Sequence, residues 1–177
     1  FLRPSHLAQD GSSHMDCIIH ALDTLRDTEN YEPDFVLLLQ PTSPFRTTAD
    51  IDASISILLG SNCDLVVSVC ESSVNLSKTY YKSAEGRLSP YAEITADLQY
   101  VRRQILPNTF AENGAIYLQK TTTLRDPPLH APNTGSFRSE NMQSYVMLPE
   151  NSLDIDNPFD LHLARLLMQN PFSKRDK

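Results

Sequence analysis

The sharpest chemical signal in the 177-residue sequence is the segment SLDID at 152 to 156. On an extended strand Asp154 and Asp156 point to the same face. Two carboxylates so placed can share one hard cation such as Mg2+, which keeps several waters for phosphate oxygens to displace. The same aspartates could instead cap the helix that Asn157-Pro158 opens, and spacing alone does not choose between the two readings. A second cluster, Gln40, Thr42, Ser43 and Arg46, lies in the segment QPTSPFR. The backbone of a tight loop with a guanidinium beside it can hold a carboxylate or a phosphate. The alternative is a proline-fixed turn in which Arg46 pairs with Asp50. Ser43 has neither a GxSxG setting nor a paired histidine, which argues against a nucleophile. Cys17 and His20 stand three residues apart on a helix pattern, but two ligands do not make a metal site, and a packed face explains them.

The elements that must position these residues follow from periodicity. Phe35 to Leu39 is an unbroken apolar run, too short for a helix, and reads as a central strand of a parallel sheet, buried on both faces. Pro41 and Pro44 end it and put the polar loop at the strand's carboxyl end, where open parallel sheets bind ligands. Met15, Ile18, Ile19, Leu22 and Leu25 mark a helix over roughly 14 to 26, with Ser13 and Asp16 as a capping pair. Thr47 caps a second helix carrying Ile51, Ile55, Leu58 and Leu59, which Gly60 ends. Asp64 to Cys70 is a second buried strand, so strand, loop, helix and strand form a parallel crossover unit.

The stretch of about 72–112 changes character, with Tyr80, Tyr81, Tyr91 and Tyr100 among basic residues and a hairpin turn at Glu85-Gly86, and reads as an insertion serving a subunit interface. Asn113 to Leu118 returns to strand composition, and the range 121 to 141 reads as a short helix and a long loop. Ser144 to Leu148 is a further strand. The last helix buries Phe159, Leu163, Leu166 and Leu167 and stops at Asn170-Pro171.

Composition narrows the functional classes. A net charge of −7 and a pI near 5.1 argue against nucleic acid or an acidic membrane as partner, so an anionic ligand needs a metal or a local basic cluster. Three cysteines without CxxC spacing give no disulfide framework or zinc site, and a reducing cytoplasm fits. No apolar run approaches the roughly 20 residues of a membrane helix. The length suits a single domain, 1–177.

In order along the chain, RPSHLAQD with IIHAL, LLLQPTSPFRTTADID, RRQILPNTFAENGAIYL and SLDIDNPFDLHLA resemble the acylneuraminate cytidylyltransferases, the CMP-sialic acid synthetase family. The resemblance implies an α/β, Rossmann-like, three-layer nucleotidyltransferase with a mainly parallel sheet and an inserted dimerisation segment. It implies transfer of CMP from CTP to a nine-carbon 2-keto sugar acid, with release of pyrophosphate. Asp154 and Asp156 then match the catalytic Mg2+ ligands. Gln40, Arg103, Lys78 and Tyr117 match residues around the sugar acid; Arg46 and Asn113 join that substrate set, and Arg3 matches the nucleotide side. In a homodimer, Lys78 and Arg103 would serve the partner's site. The family's opening strand and basic, glycine-containing phosphate loop are not in this sequence, so upstream sequence is expected. Pro128-Leu129, with Phe137 nearby, stand where some members have paired phenylalanines, which points to an altered acyl pocket. A non-catalytic dimeric module on the same fold, or another nucleotide-sugar pyrophosphorylase, are the alternative functions.

Overall fold

Local hydrogen bonding sets the helix limits before packing does. Helix α1 (His14–Glu29) starts where the Ser13 hydroxyl accepts from Met15 N at 3.1 Å and ends at Asn30, in the left-handed region at φ 51°. Helix α2 (Thr48–Gly60) opens on a reciprocal capping box between Thr47 and Asp50. The structure is a computed structural model describing residues 1–91, 106–125 and 140–170. Arg103, the pair Pro128-Leu129, Phe137 and most of the loop expected over 121 to 141 lie outside the described residues.

The main sheet has four strands in the order β1 (Phe35–Leu38), β5 (Phe110–Lys120), β2 (Leu65–Glu71) and β6 (Met142–Val146). Strand β5 runs antiparallel to both β1 and β2, while β2 and β6 are parallel. The sheet is therefore mixed, and the expectation of a mainly parallel one is corrected. The crossover from β1 through α2 to β2 is present, but β5 enters between its two strands. Strand β1 accordingly lies at the edge of the described sheet, not its centre, with Phe35 38% exposed and the remainder half-buried. An apolar run reports that a strand has something to cover; it does not name its neighbours.

Alternation along β2 divides the core. Leu65 and Val67 pack with Met15 and Leu22 of α1, together with Tyr117 and Leu124. Val66 turns to the other face, with Leu58 of α2, Ile116, Leu118 and Met147. The result is helix, sheet, helix. The short helix α3 (Thr121–Leu124) follows β5 directly. Strands β3 (Tyr80–Lys82) and β4 (Leu88–Pro90) form their own two-stranded sheet around Gly86, whose φ of 86° suits the expected hairpin turn.

Helix α4 (Pro158–Gln169) begins where expected. Its expected buried stripe is corrected: Phe159, Leu163 and Leu166 are exposed, Leu167 is half-buried and the buried residue is Ala164. Helical spacing identifies an apolar face without supplying what covers it.

Candidate functional site

Strand β5 changes character halfway along. From Tyr117 to Gln119 it pairs residue for residue with β2, Tyr117 facing Val67 and Gln119 facing Leu65. Toward its amino end the register breaks: Val69 faces Glu112, so Asn113 to Ile116 oppose Ser68 alone. That excess is a β-bulge. Within it Gly114 has φ +69°, a conformation open to glycine and costly for residues with a Cβ.

The bulge is where distant segments meet. A Cβ added at Gly114 would stand 2.7 Å from Gln40 Oε1 and 2.8 Å from Asp154 Oδ2. The glycine thus admits two side-chain oxygens from the loop after β1 and the segment before α4. Ser43, fully buried, donates toward Asn113 O at 3.2 Å and Asp154 Oδ1 at 3.3 Å. Ile155 N donates to Thr42 O at 2.9 Å, tying the aspartate segment to the QPTSPFR loop. Arg46 does not pair with Asp50. Its Nη1 donates to Ala115 O at 2.6 Å and to Gln40 O at 3.3 Å, so the guanidinium clamps loop and bulge together.

Asp50 is occupied elsewhere. Its carboxylate accepts from Thr47 N and Oγ1 at 2.7 Å, from Tyr145 Oη at 2.9 Å and from Asn151 Nδ2 at 3.4 Å. This buried acid links α2, β6 and the 3-10 turn Pro149–Asn151 that leads into the aspartate segment. Burial, and then the bonded Asp50, push the Tyr145 hydroxyl's pKa up.

Asp154 and Asp156 do not lie on a strand, contrary to expectation; they follow the 3-10 turn in irregular backbone. Proline at 149 and the polar run beside it leave no ladder to join. Neither aspartate caps α4. That role belongs to Asn157, whose Oδ1 accepts from Phe159 N and Asp160 N, and to Asp160, whose Oδ2 accepts from Asp156 N and Asn157 N. Asp154 is half-buried against Ser43, Asp156 is exposed, and among the described residues neither carboxylate has an ion-pair partner. Carboxylates are the ligand type that Mg2+ takes, one or two at a time, with water and phosphate oxygens completing its shell. No group of three or more acidic, His or Cys side chains suited to a metal occurs among the described residues.

The other expected site residues are spread more widely. Asn113 is buried with its side chain turned inward, accepting from Ser68 Oγ at 2.6 Å and donating to Ser152 Oγ at 3.1 Å and Met147 Sδ at 3.2 Å. Tyr117 packs in the α1-side core and donates to Glu112 Oε2 at 3.2 Å. Lys78 is exposed in the 3-10 turn before β3. Arg3 is exposed and directed at Cys17 Sγ of α1, 3.7 Å away. Sequence reasoning missed Ser68, Gly114 and Ser152. An Asn-Gly pair inside strand composition was the available sign of a bulge.

The loop, bulge and aspartate segment just described contain the same motifs that carry the sequence resemblance, and comparison with known proteins decides its meaning. The chain is 32% identical over 173 residues, 95% of its length, to an N-acylneuraminate cytidylyltransferase from Escherichia coli. Over nearly its whole length the chain is similar in sequence to N-acylneuraminate cytidylyltransferases. A protein of the same name from Streptococcus agalactiae is 31% identical over 162 residues, 90% of the chain. The chain spans about a third of the length of these curated relatives, 36% and 35% respectively. No protein-family model matches it. No helix among the described residues is long and apolar enough to cross a membrane.

Proposed function

We propose that this chain forms the sugar-acid and metal-binding side of a cytidylyltransferase, a Rossmann-like nucleotidyltransferase working as a homodimer. The reaction joins CTP to a nine-carbon 2-keto sugar acid, giving the CMP-sugar and pyrophosphate. The observation that carries this reading is the convergence of Gln40 Oε1 and Asp154 Oδ2 on Gly114, which sets a neutral amide beside a carboxylate. With its oxygen turned to the glycine, the Gln40 amide N–H group is placed to donate to the substrate's carboxylate. Asp154 and Asp156 hold Mg2+, which when bound supplies positive charge against the leaving pyrophosphate. Ser43 fixes one Asp154 oxygen while the other lies against Gly114, so the carboxylate is held in one orientation. Arg46 keeps the loop seated on β5 and brings positive charge to the sugar-acid side. Lys78 and Arg103 would complete the carboxylate clamp from the partner subunit, and Tyr117 would join the residues around the sugar acid. Arg3 would serve the nucleotide side.

The test is a pyrophosphate-release assay of the protein, with its expected upstream segment included, using CTP and Mg2+ against a panel of N-acetylneuraminate, legionaminate and pseudaminate. Turnover with one of them is the expected result. Turnover only with UTP or GTP and a sugar phosphate would replace this reading by that of another pyrophosphorylase.

A further inference from the structure

We propose that Ser68 is a positioning residue, which holds the β5 bulge in the one shape that lets Gln40 and Asp154 meet across Gly114. The inference rests on the reading above for its catalytic consequence, but its structural content stands on the hydrogen bonds around the bulge.

Ser68 is 1% exposed and sits at the break in register, the one β2 residue set against the whole bulge. Its hydroxyl does there what the ladder cannot. It accepts from Ile116 N at 2.7 Å and donates to Asn113 Oδ1 at 2.6 Å. A buried amide N–H without a partner is costly, so Ile116 and Ser68 hold one another. The Asn113 amide passes the constraint on. Its Oδ1 also receives Ala115 N at 3.3 Å, bracketing Gly114 from both sides, and its Nδ2 reaches Ser152 in the segment that carries Asp154. Ser43 closes the circuit, its one hydroxyl proton shared between Asn113 O and Asp154 Oδ1. Four polar side chains, Ser43, Ser68, Asn113 and Ser152, thus join the positive-φ Gly114 and the aspartate segment in one network, against which Gln40 Oε1 and Asp154 Oδ2 rest. Buried networks of this kind are strong when every member is satisfied and fail as a unit when one is removed.

The experiment compares Ser68→Ala, Ser68→Thr and the unsubstituted protein by amide NMR and by pyrophosphate release. Ser68→Ala is expected to deprotect the Ile116 amide against hydrogen exchange and to shift the Gln40 side-chain amide and the Asp154 and Ile155 backbone amides. Leu22, on the other face of the sheet, should not change. Pyrophosphate release should fall by about tenfold or more in kcat, read at a temperature where the variant is folded. Ser68→Thr keeps the hydroxyl and should restore both the spectrum and most of the turnover. Unmoved Gln40 and Asp154 resonances in folded Ser68→Ala would overturn the proposal, as would a folded Ser68→Thr as impaired as Ser68→Ala. If the unsubstituted protein releases no pyrophosphate, the cytidylyltransferase reading fails, and the spectra still decide whether Ser68 positions the site.

Discussion

The two halves of β5 teach opposite lessons about one strand. Its carboxyl half is regular: Tyr117 and Leu118 pair with Leu38 and Leu37 on one side and with Val67 and Val66 on the other, and apolar side chains fill both cores. Its amino half abandons the ladder for side-chain hydrogen bonds, places a glycine at positive φ and draws in segments from far along the chain. The first half stabilises the sheet through burial, which is insensitive to small displacements. The second spends local regularity on geometry, which is not.

Substitutions can break or sharpen this contrast. The largest stability effect belongs to the regular half. Leu118→Ala removes a side chain that is 2% exposed, and chemical denaturation should show a loss of about 2–5 kcal/mol. A smaller loss at that position would mean that the α2-side core can collapse around the gap. Gly114→Ala, in the irregular half, should cost less stability, about 1–2 kcal/mol for the left-handed backbone. It should nonetheless damage function more, because the new methyl group displaces the tips of Gln40 and Asp154. Turnover that survives Gly114→Ala would remove the bulge from the account.

Asn157→Ala takes away the α4 cap beside the aspartates and should cost about 1 kcal/mol, read as a lower denaturation midpoint. The smallest effect lies at the far end of the molecule. Asp23 pairs with Arg125 at 2.8 Å and with Arg26 at 3.1 Å, and the Arg125 hydrogen bond is the main reason its pKa lies below the ordinary 3.8. A depressed folded-state pKa contributes stability that is present above 3.8 and lost as pH falls through the lower value. Arg125→Gln should therefore flatten the loss of stability in that acid window and leave neutral-pH stability nearly unchanged, since the pair is well solvated. An unaltered acid profile would show that the ion pair carries no linkage.

What could be read from the residues alone follows the same division. Several local rules held, since the Thr47 cap, the Gly86 turn, the buried strand from Leu65 and the start of α4 at Pro158 each depend on neighbours a few residues away, whereas the local alternation of SLDID made no strand. Pairing between remote segments is not written in periodicity, so β5 was not expected between β1 and β2, and β1 was taken for a central strand. For the same reason the apolar face of α4 was expected to be buried. At the site, the types of residue were legible as oxygen donors and a guanidinium. Their supports were not, because a serine such as Ser68 has no pattern of its own and acquires meaning only when the bulge sets it opposite Asn113. Arg46 shows the converse: its charge suggested Asp50, and the fold gave it carbonyls.

The most direct test of the account is Asp156→Ala. Asp156 is exposed, and among the described residues its carboxylate makes no hydrogen bond or ion pair, while its backbone N–H bond to Asp160 survives the substitution. The variant should keep the denaturation midpoint of the unsubstituted protein and lose Mg2+-dependent pyrophosphate release from CTP and the sugar acid. Full metal-dependent release by the folded variant would contradict the claim that this aspartate pair is the metal side of the site.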